Sequence, residues 1–290
     1  LGFGILVPAN IDELMRDATG RLAGAGVREP RRDAAVLMAF AIGRDRTFLI
    51  AHPEYTPTAS EAGKFALFVA RRAAREPLNY ITGRREFYGL EFEVAPGVLI
   101  PRPETELIVE DAIGFLRGRP NPTFCEVGVG SGCIAVAILA NVPGARAVAL
   151  DVSAKAIETA RRNARLNGVA DRLELRRSDV FGGLRADDRF DAIVSNPPYV
   201  AASEIPALDP EVRDHEPRAA LTDGADGLSI IRRLIRESVR FLGPGGLLLV
   251  EIGFGQAAAV AALADRGSWS EPRFLTDLQG IDRTLRVVRR

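Results

Sequence analysis

The chain has 290 residues, with 38 basic and 38 acidic side chains and therefore no net charge; 47% of it is hydrophobic and 26% charged. That composition supports a buried core and excludes a mainly disordered chain, and the lack of a basic excess argues against a protein built chiefly to grip nucleic acid. The longest unbroken apolar run, Ala34 to Ile42, falls far short of the roughly 20 residues that span a bilayer.

Taken in chain order, the first segment reads as helical. Asn10 followed three residues later by Glu13 is a capping-box pattern, and Ile11, Leu14, Met15, Ala18 and Leu22 keep helical spacing after it. A second helix is predicted over Arg32 to Ile42, and a third from Thr58, with Glu61 in the capping position and Phe65, Phe68 and Val69 turned inward. Residues 1–76 therefore make a small bundle. Arg71, Arg72, Arg75, Arg84 and Arg85 form a basic cluster opposed locally by Glu76 alone, and a solvated helix face is a simpler explanation than partner docking.

The texture changes at Glu76-Pro77. Arg85 to Ile100 alternates apolar and polar residues around Gly89 and Pro96-Gly97, which predicts a β-hairpin and marks 77–102 as a linker. Pro101 to Glu106 then opens a helix, with Pro103 suited to its first turn. In 103–290, short apolar runs alternate with helical patterns. Strands are expected at Phe124–Val127, Ala147–Leu150, Leu173–Leu175, Phe190–Val194 and Leu247–Ile252, with Leu285–Val288 as a last edge strand. Helices are expected near Cys133–Ala140, Ser153–Leu166, Gly227–Phe241 and Gln256–Asp265. The alternation implies an α/β fold, a mostly parallel sheet covered on both faces.

Glu126-Val127-Gly128-Val129-Gly130-Ser131-Gly132 falls at a strand-to-helix turn, where glycines admit a nucleotide close to free backbone amides. Asp151 ends the next strand, in position to accept from ribose hydroxyls. Gly130, Gly132 and Ala135 also fit a dehydrogenase fingerprint, so the turn alone leaves the nucleoside cofactor open. The acid-x-G-x-G-x-G form is similar to motif I of class I S-adenosylmethionine-dependent methyltransferases, and Asp179 matches their acid near the adenine.

Ser195-Asn196-Pro197-Pro198-Tyr199 follows the fourth strand at its carboxyl end. Two prolines stiffen the backbone and leave carbonyls that only accept, Asn196 adds a side-chain acceptor, and Tyr199 offers an aromatic wall. Such a turn suits a planar NH2 group. With only two cysteines, Cys125 and Cys133, and two histidines, His52 and His215, no disulfide framework, zinc site or other metal centre is expected.

Asn-Pro-Pro-Tyr resembles motif IV of amino-methyltransferases. Glu86 to Leu90, Leu99 to Glu106, Asp209 to Arg218 and Leu278 to Arg283 narrow the resemblance to the PrmC/HemK family, protein-(glutamine-N5) methyltransferases of peptide chain release factors. That resemblance implies a Rossmann-like catalytic domain at 103–290, a hairpin linker at 77–102 and a substrate-recognition domain at 1–76. It also implies S-adenosyl-L-methionine held by Glu126, Gly128, Val129, Gly130, Ser131, Gly132 and Asp151, with Asp179 and Val180 beside its adenine and Asn196 between cofactor and substrate. Asn196, Pro197, Pro198 and Tyr199 would bind the glutamine of a Gly-Gly-Gln tripeptide in a class 1 release factor, with Asn196, Pro197 and Tyr199 carrying the reaction. Glu126 stands where the family usually has Asp, and Val129 where it often has Thr. The irregular stretch Val200 to Asp226 is expected to frame the tripeptide's way in. A cytoplasmic monomer with no nucleic-acid or membrane partner is expected. The rival is N6-adenine methylation of DNA or RNA, which uses nearly the same tetrad; a nicotinamide dehydrogenase leaves the tetrad without a task, and a non-catalytic cofactor-binding scaffold is the remaining alternative.

Overall fold

The computed structural model describes residues 9–290. They fall into two units, one comprising the chain up to Gly83 with Pro210–His215, the other Arg84–Asp209 with Glu216–Arg290.

The first unit is helical: Ile11–Gly24, Pro30–Ile42, Arg46–Ala51, Ala59–Ala73 and Leu78–Thr82. Both predicted capping boxes form, Asn10 with Glu13 and Thr58 with Glu61, each satisfying amides that a helix start leaves free. Leu22, Leu37, Met38, Phe65 and Val69 are buried at their centre. The short helices Arg46–Ala51 and Leu78–Thr82 were not expected, since five or six residues carry too little periodicity to show. Two arginines of the basic cluster, Arg72 and Arg75, are neutralised by acids distant in sequence. Buried Arg72 donates to Asp33 at 2.7 Å and to Glu211 at 2.8 Å, Arg75 donates to Glu211 as well, and Arg71 takes Glu76. Burial opposes ionisation of Glu211, but its bonds from Arg75 and Arg72 outweigh that and hold its carboxyl at about 2.

The second unit begins with a hairpin, β1 (Arg84–Phe87) and β2 (Leu90–Glu93). Its two turn residues, Tyr88 and Gly89, both have positive φ, the geometry that matches the twist of a two-residue hairpin. The Glu106 carboxylate accepts from the Tyr88 amide and Glu86 from that of Gly89, which holds a tyrosine where glycine is usual.

The main sheet has seven strands: β3 (Thr123–Val127), β4 (Arg146–Asp151), β5 (Leu173–Arg177), β6 (Phe190–Ser195), β7 (Leu242–Glu251), β8 (Arg273–Thr276) and β9 (Asp282–Val288), in the order β5-β4-β3-β6-β7-β9-β8. The first five in that order are parallel; β9 pairs antiparallel with β7 on one side and with β8 on the other. Side chains alternate between faces as a pleat requires. Phe124, Ala192, Val194 and Leu249 pack against Glu106–Leu116, Cys133–Asn141 and Ala154–Leu166, while Cys125, Val127, Ile193 and Val250 pack with Ser229–Ser238. The expected edge strand is corrected here. β9 is interior, covered by β8, whose Arg273-Phe274-Leu275-Thr276 is too short and mixed to declare itself in sequence. β7 also starts earlier than expected, because Gly243-Pro244-Gly245-Gly246 reads as a turn but is paired to Arg289 through the Gly245 amide and the Gly246 carbonyl.

The chain leaves β3 toward β4 and β5, then returns to β6 on the other side of β3. That reversal opens a crevice at the carboxyl ends of β3 and β6, the place where open α/β sheets bind ligands. Val127 and Ser195 are paired across it, so the glycine turn and the Asn-Pro-Pro-Tyr turn leave the sheet side by side.

Candidate active site

The glycine turn is shaped by the strand below it. The Gly128 and Val129 amides donate to the Leu150 carbonyl, at 2.8 and 2.9 Å, and Gly128, Gly130 and Gly132 all take positive φ. Asp151 lies across the turn, one oxygen accepting from the Gly130 amide at 2.9 Å and the other from Ser153 at 2.8 Å. Burial nonetheless raises its proton affinity above the ordinary aspartate value, outweighing those amides. Gly132 caps helix Cys133–Asn141 and faces Ala160, whose Cα would stand 3.1 Å from an added Cβ. Its task is close helix packing.

Glu126 is 1% exposed, and its carboxyl accepts from the Ala135 amide, one of the free donors in the first turn of the helix. Burial raises its proton affinity well above the usual value, the Ala135 bond opposes this, and the charge of Asp151 adds to it. Val180 is buried with φ 47°, an uncommon backbone for a β-branched residue. Ser178 holds that turn, donating to the Val180 carbonyl at 2.8 Å and accepting from Gly183 at 2.7 Å. Asp179 pairs with Arg233 at 2.9 Å.

At the end of β6, the Asn196 Nδ2 donates to Thr105 Oγ1 at 3.0 Å. Tyr199 packs with the core on the Ile193 face; its hydroxyl donates to Glu251 at 3.2 Å and its carbonyl accepts from Gln256 at 2.9 Å. Burial, reinforced by the Glu251 charge, keeps that phenol protonated well past its usual range. A Cβ on Gly227, which has φ +76°, would collide with the Tyr199 carbonyl.

One cleft is lined by Glu126, Gly128, Val129, Gly130, Ser131, Asp151, Asp179, Val180, Asn196, Pro197 and Pro198, and also by Pro101, Arg102, Thr105, Pro217 and Ala220. Of the residues expected from the sequence, Gly132 and Tyr199 are the two that do not line it. Residues missed in the sequence are Thr105, Ser178, Glu251, Gln256 and Asn163. Buried Asn163 donates to the Ser131 carbonyl at 2.8 Å and to the Glu93 carbonyl at 3.0 Å, tying the glycine turn to the hairpin. Arg102 and buried Glu216 form an ion pair that joins two of the stretches quoted for the family resemblance. A motif shows that such residues matter together, but which side chain meets which is a tertiary fact.

A parallel sheet with a topological reversal, a glycine turn and strand-end acid on one side and Asn-Pro-Pro on the other define a Rossmann-like class I methyltransferase. A methyltransferase structure from Pyrococcus furiosus has the same fold, with TM-score 0.52 and 20% identity over 70% of this chain and 90% of that one. The family described as PrmC N-terminal domain matches residues 13–83, and the methyltransferase small domain matches 115–208. A release factor glutamine methyltransferase of Cereibacter sphaeroides is 44% identical over 93% of this chain and 95% of its own, and one of Geobacter sulfurreducens is 44% identical over 92% of each. The chain belongs to the release factor glutamine methyltransferase family.

Proposed function

We propose that this protein methylates the side-chain amide nitrogen of the glutamine in the Gly-Gly-Gln tripeptide of class 1 peptide chain release factors, with S-adenosylmethionine as donor. The observation that carries this is the Asn196 side chain on the cleft: its NH2 donates to Thr105 Oγ1, which leaves its oxygen as an acceptor on a cleft that Pro197 and Pro198 also line.

The cleft fits the donor's chemistry. Glu126 and Asp151 are desolvated carboxyls whose ionisation is held back by burial, with no cationic side chain hydrogen-bonded to either among the described residues, which suits a ligand bringing positive charge and hydroxyl donors. The bound donor supplies an electrophilic methyl on a sulfonium. Gly128 to Ser131 cradle it through backbone, Glu126 and Asp151 answer its polar and charged ends, and Asp179 and Val180 border its base. Gly132 supports the cradle from behind.

The rest falls to orientation. An amide nitrogen is a weak nucleophile because its lone pair is delocalised into its carbonyl, so its approach must be fixed and its developing positive charge stabilised. Asn196 Oδ1 and the Pro197 carbonyl accept the two NH2 hydrogens, which directs the nitrogen at the methyl carbon. Pro198 keeps that backbone rigid and Tyr199 anchors the end of the turn. As the new C–N bond forms, the methyl's bond to the donor sulfur would break and leave a neutral thioether; one N–H proton then passes to solvent, and the acceptors that held it stabilise the cation until it leaves.

The segment 1–76 is assigned to recognition of the substrate protein, 77–102 to the linker and 103–290 to catalysis. The reading places it as a monomer in the cytoplasm, where release factors act. Incubation with cofactor and a purified release factor, followed by peptide mass spectrometry, tests the proposal. The expected result is one methyl on the tripeptide glutamine and a loss of about 10²-fold or more with Asn196→Ala. Methylated adenine in a nucleic-acid control, without methylated glutamine, overturns it.

A further inference from the structure

The far end of the Asn-Pro-Pro-Tyr turn is held by a residue to which the proposed reaction has so far given no task. Gln256 immediately precedes the short helix Ala257–Ala261, yet its side chain does not cap that helix. It turns back instead. Its Oε1 accepts from the Gly253 amide at 2.8 Å, and its Nε2 donates to the Tyr199 carbonyl at 2.9 Å. The Gly253 amide only donates and the Tyr199 carbonyl only accepts, so a single orientation of the side-chain amide satisfies both. The bridge is closely enclosed. A Cβ added to Gly253 would stand 3.1 Å from the Gln256 amide and 3.2 Å from the Tyr199 ring, and one added to Gly227 would stand 3.1 Å from Gln256 Nε2.

We propose that Gln256 is a positioning residue for methyl transfer: it ties the exit of the Asn-Pro-Pro-Tyr turn to the loop after β7, and so sets the direction in which Asn196 and the Pro197 carbonyl meet the substrate NH2. This rests on the methyl-transfer reading given above. The turn starts from a fixed point, because Ser195 is paired with Val127 on one side and with Val250 on the other. It leaves through Tyr199, whose hydroxyl donates to Glu251 at 3.2 Å, and through Val200, whose amide donates to the Leu221 carbonyl at 2.9 Å. Between these points lie only Asn196, Pro197 and Pro198, and the proline rings fix φ at two of the three. Few torsions remain. Pinning the Tyr199 carbonyl removes slack that would otherwise pass back along the turn to the Pro197 carbonyl and to Asn196.

The two bonds of the bridge serve different ends and can be separated chemically. If Gln256 only kept the loop after β7 in shape, its bond from Gly253 would be the one that matters. If it acts on the turn, its bond to Tyr199 is the one that matters. A carboxylate of the same length still accepts from the Gly253 amide, but it has no hydrogen for the Tyr199 carbonyl and sets oxygen against oxygen there. A methionine keeps the length of the side chain and loses both bonds.

The test compares Gln256→Glu with Gln256→Met at about pH 8, where an introduced carboxyl is ionised. A purified release factor gives kcat and KM, calorimetry gives the cofactor Kd, and thermal melting gives the folded fraction at the assay temperature. Expected in both variants is a fall in kcat of about tenfold or more, with KM and the cofactor Kd within about threefold of wild type, because the turn is misaimed while the binding surfaces stay in place. Gln256→Glu should lose at least as much kcat as Gln256→Met, although it keeps the Gly253 bond, and both should remain folded at the assay temperature. A wild-type kcat in Gln256→Glu, a loss confined to KM or to the cofactor Kd, or a fall in kcat that matches the unfolded fraction each overturns the assignment. Failure of wild type to methylate glutamine in the same assay overturns the methyl-transfer reading itself.

Discussion

The Ser195 hydroxyl donates to the Val127 carbonyl at 2.7 Å across the parallel pair β3 and β6, with no solvent access to the serine. This bond joins the last residue of the strand that leads into the glycine turn to the last residue of the strand that leads into Asn196. It therefore clamps the two halves of the cleft where their separation is set. Ser195→Ala is expected to cost about 1 kcal/mol of stability, the usual net value of such a bond. It should reduce kcat more than it weakens cofactor binding, since the cofactor touches one side of the clamp and transfer needs both. Urea unfolding and steady-state kinetics check this; an unchanged kcat means the strand pairing alone fixes the geometry.

Two glycines with similar backbones should respond very differently to alanine. Gly89, at φ +74° in the hairpin turn, has nothing within 4 Å of an added Cβ, so Gly89→Ala carries only the left-handed strain of about 1–2 kcal/mol. Gly132, at φ +83°, adds to that strain a collision with the backbone and side chain of Ala160, each at 3.1 Å. Gly132→Ala should therefore be clearly more destabilising, and it should weaken cofactor binding by displacing the start of helix Cys133–Asn141. Equal melting temperatures for the two variants would show that the Ala154–Leu166 helix yields without cost.

In the helical unit, Glu211 ties Arg72 and Arg75 together with a carboxyl lowered from 4.5 to about 2. A group whose folded-state value is depressed contributes stability above its unfolded value and loses it as pH falls through the folded one. The stability gap between wild type and Glu211→Gln should thus be full at about pH 6 and narrow steadily toward about pH 3. Calorimetric melts across that range would show it. A gap that stays constant would mean that the arginines are held by Asp33 and Glu76 without help from Glu211.

The Glu211 ion pairs illustrate what a sequence conceals. Arg72 and Arg75 look unopposed along the chain but for Glu76, because Asp33 lies 39 residues from Arg72 and Glu211 lies 139 away. By contrast, both capping boxes, the helix spacing and the five parallel strands were legible, since each rests on residues a few positions apart. The cleft was half legible. Glycine turn, strand-end acid and Asn-Pro-Pro all depend on local backbone and reach it as expected. Tyr199 was given the role of a wall over the substrate, but its ring direction is decided by Glu251, 52 residues on, and it packs into the core. Asn163 likewise acts through bonds to distant segments, the Ser131 and Glu93 carbonyls, and carries no local signature.

Glu126 and Asp151 make cofactor affinity a function of pH. Burial raises the proton affinity of both in the free protein, so the folded state holds more protons than the unfolded chain above the ordinary values of 4.5 and 3.8. For acids raised in this way, stability falls as pH rises from the unfolded value through the folded one. A cationic ligand reverses the balance, because it favours the charged carboxylates and expels their protons. Cofactor binding should then release protons and tighten as pH rises above the ordinary values of the two acids. Titration calorimetry in two buffers of different ionisation enthalpy counts the protons directly. Glu126→Gln should reduce the count and flatten the pH dependence, while removing the burial penalty and raising the melting temperature of the free protein. Proton uptake on binding, or an affinity that weakens as pH rises, would mean that the two acids do not face the positive end of the ligand.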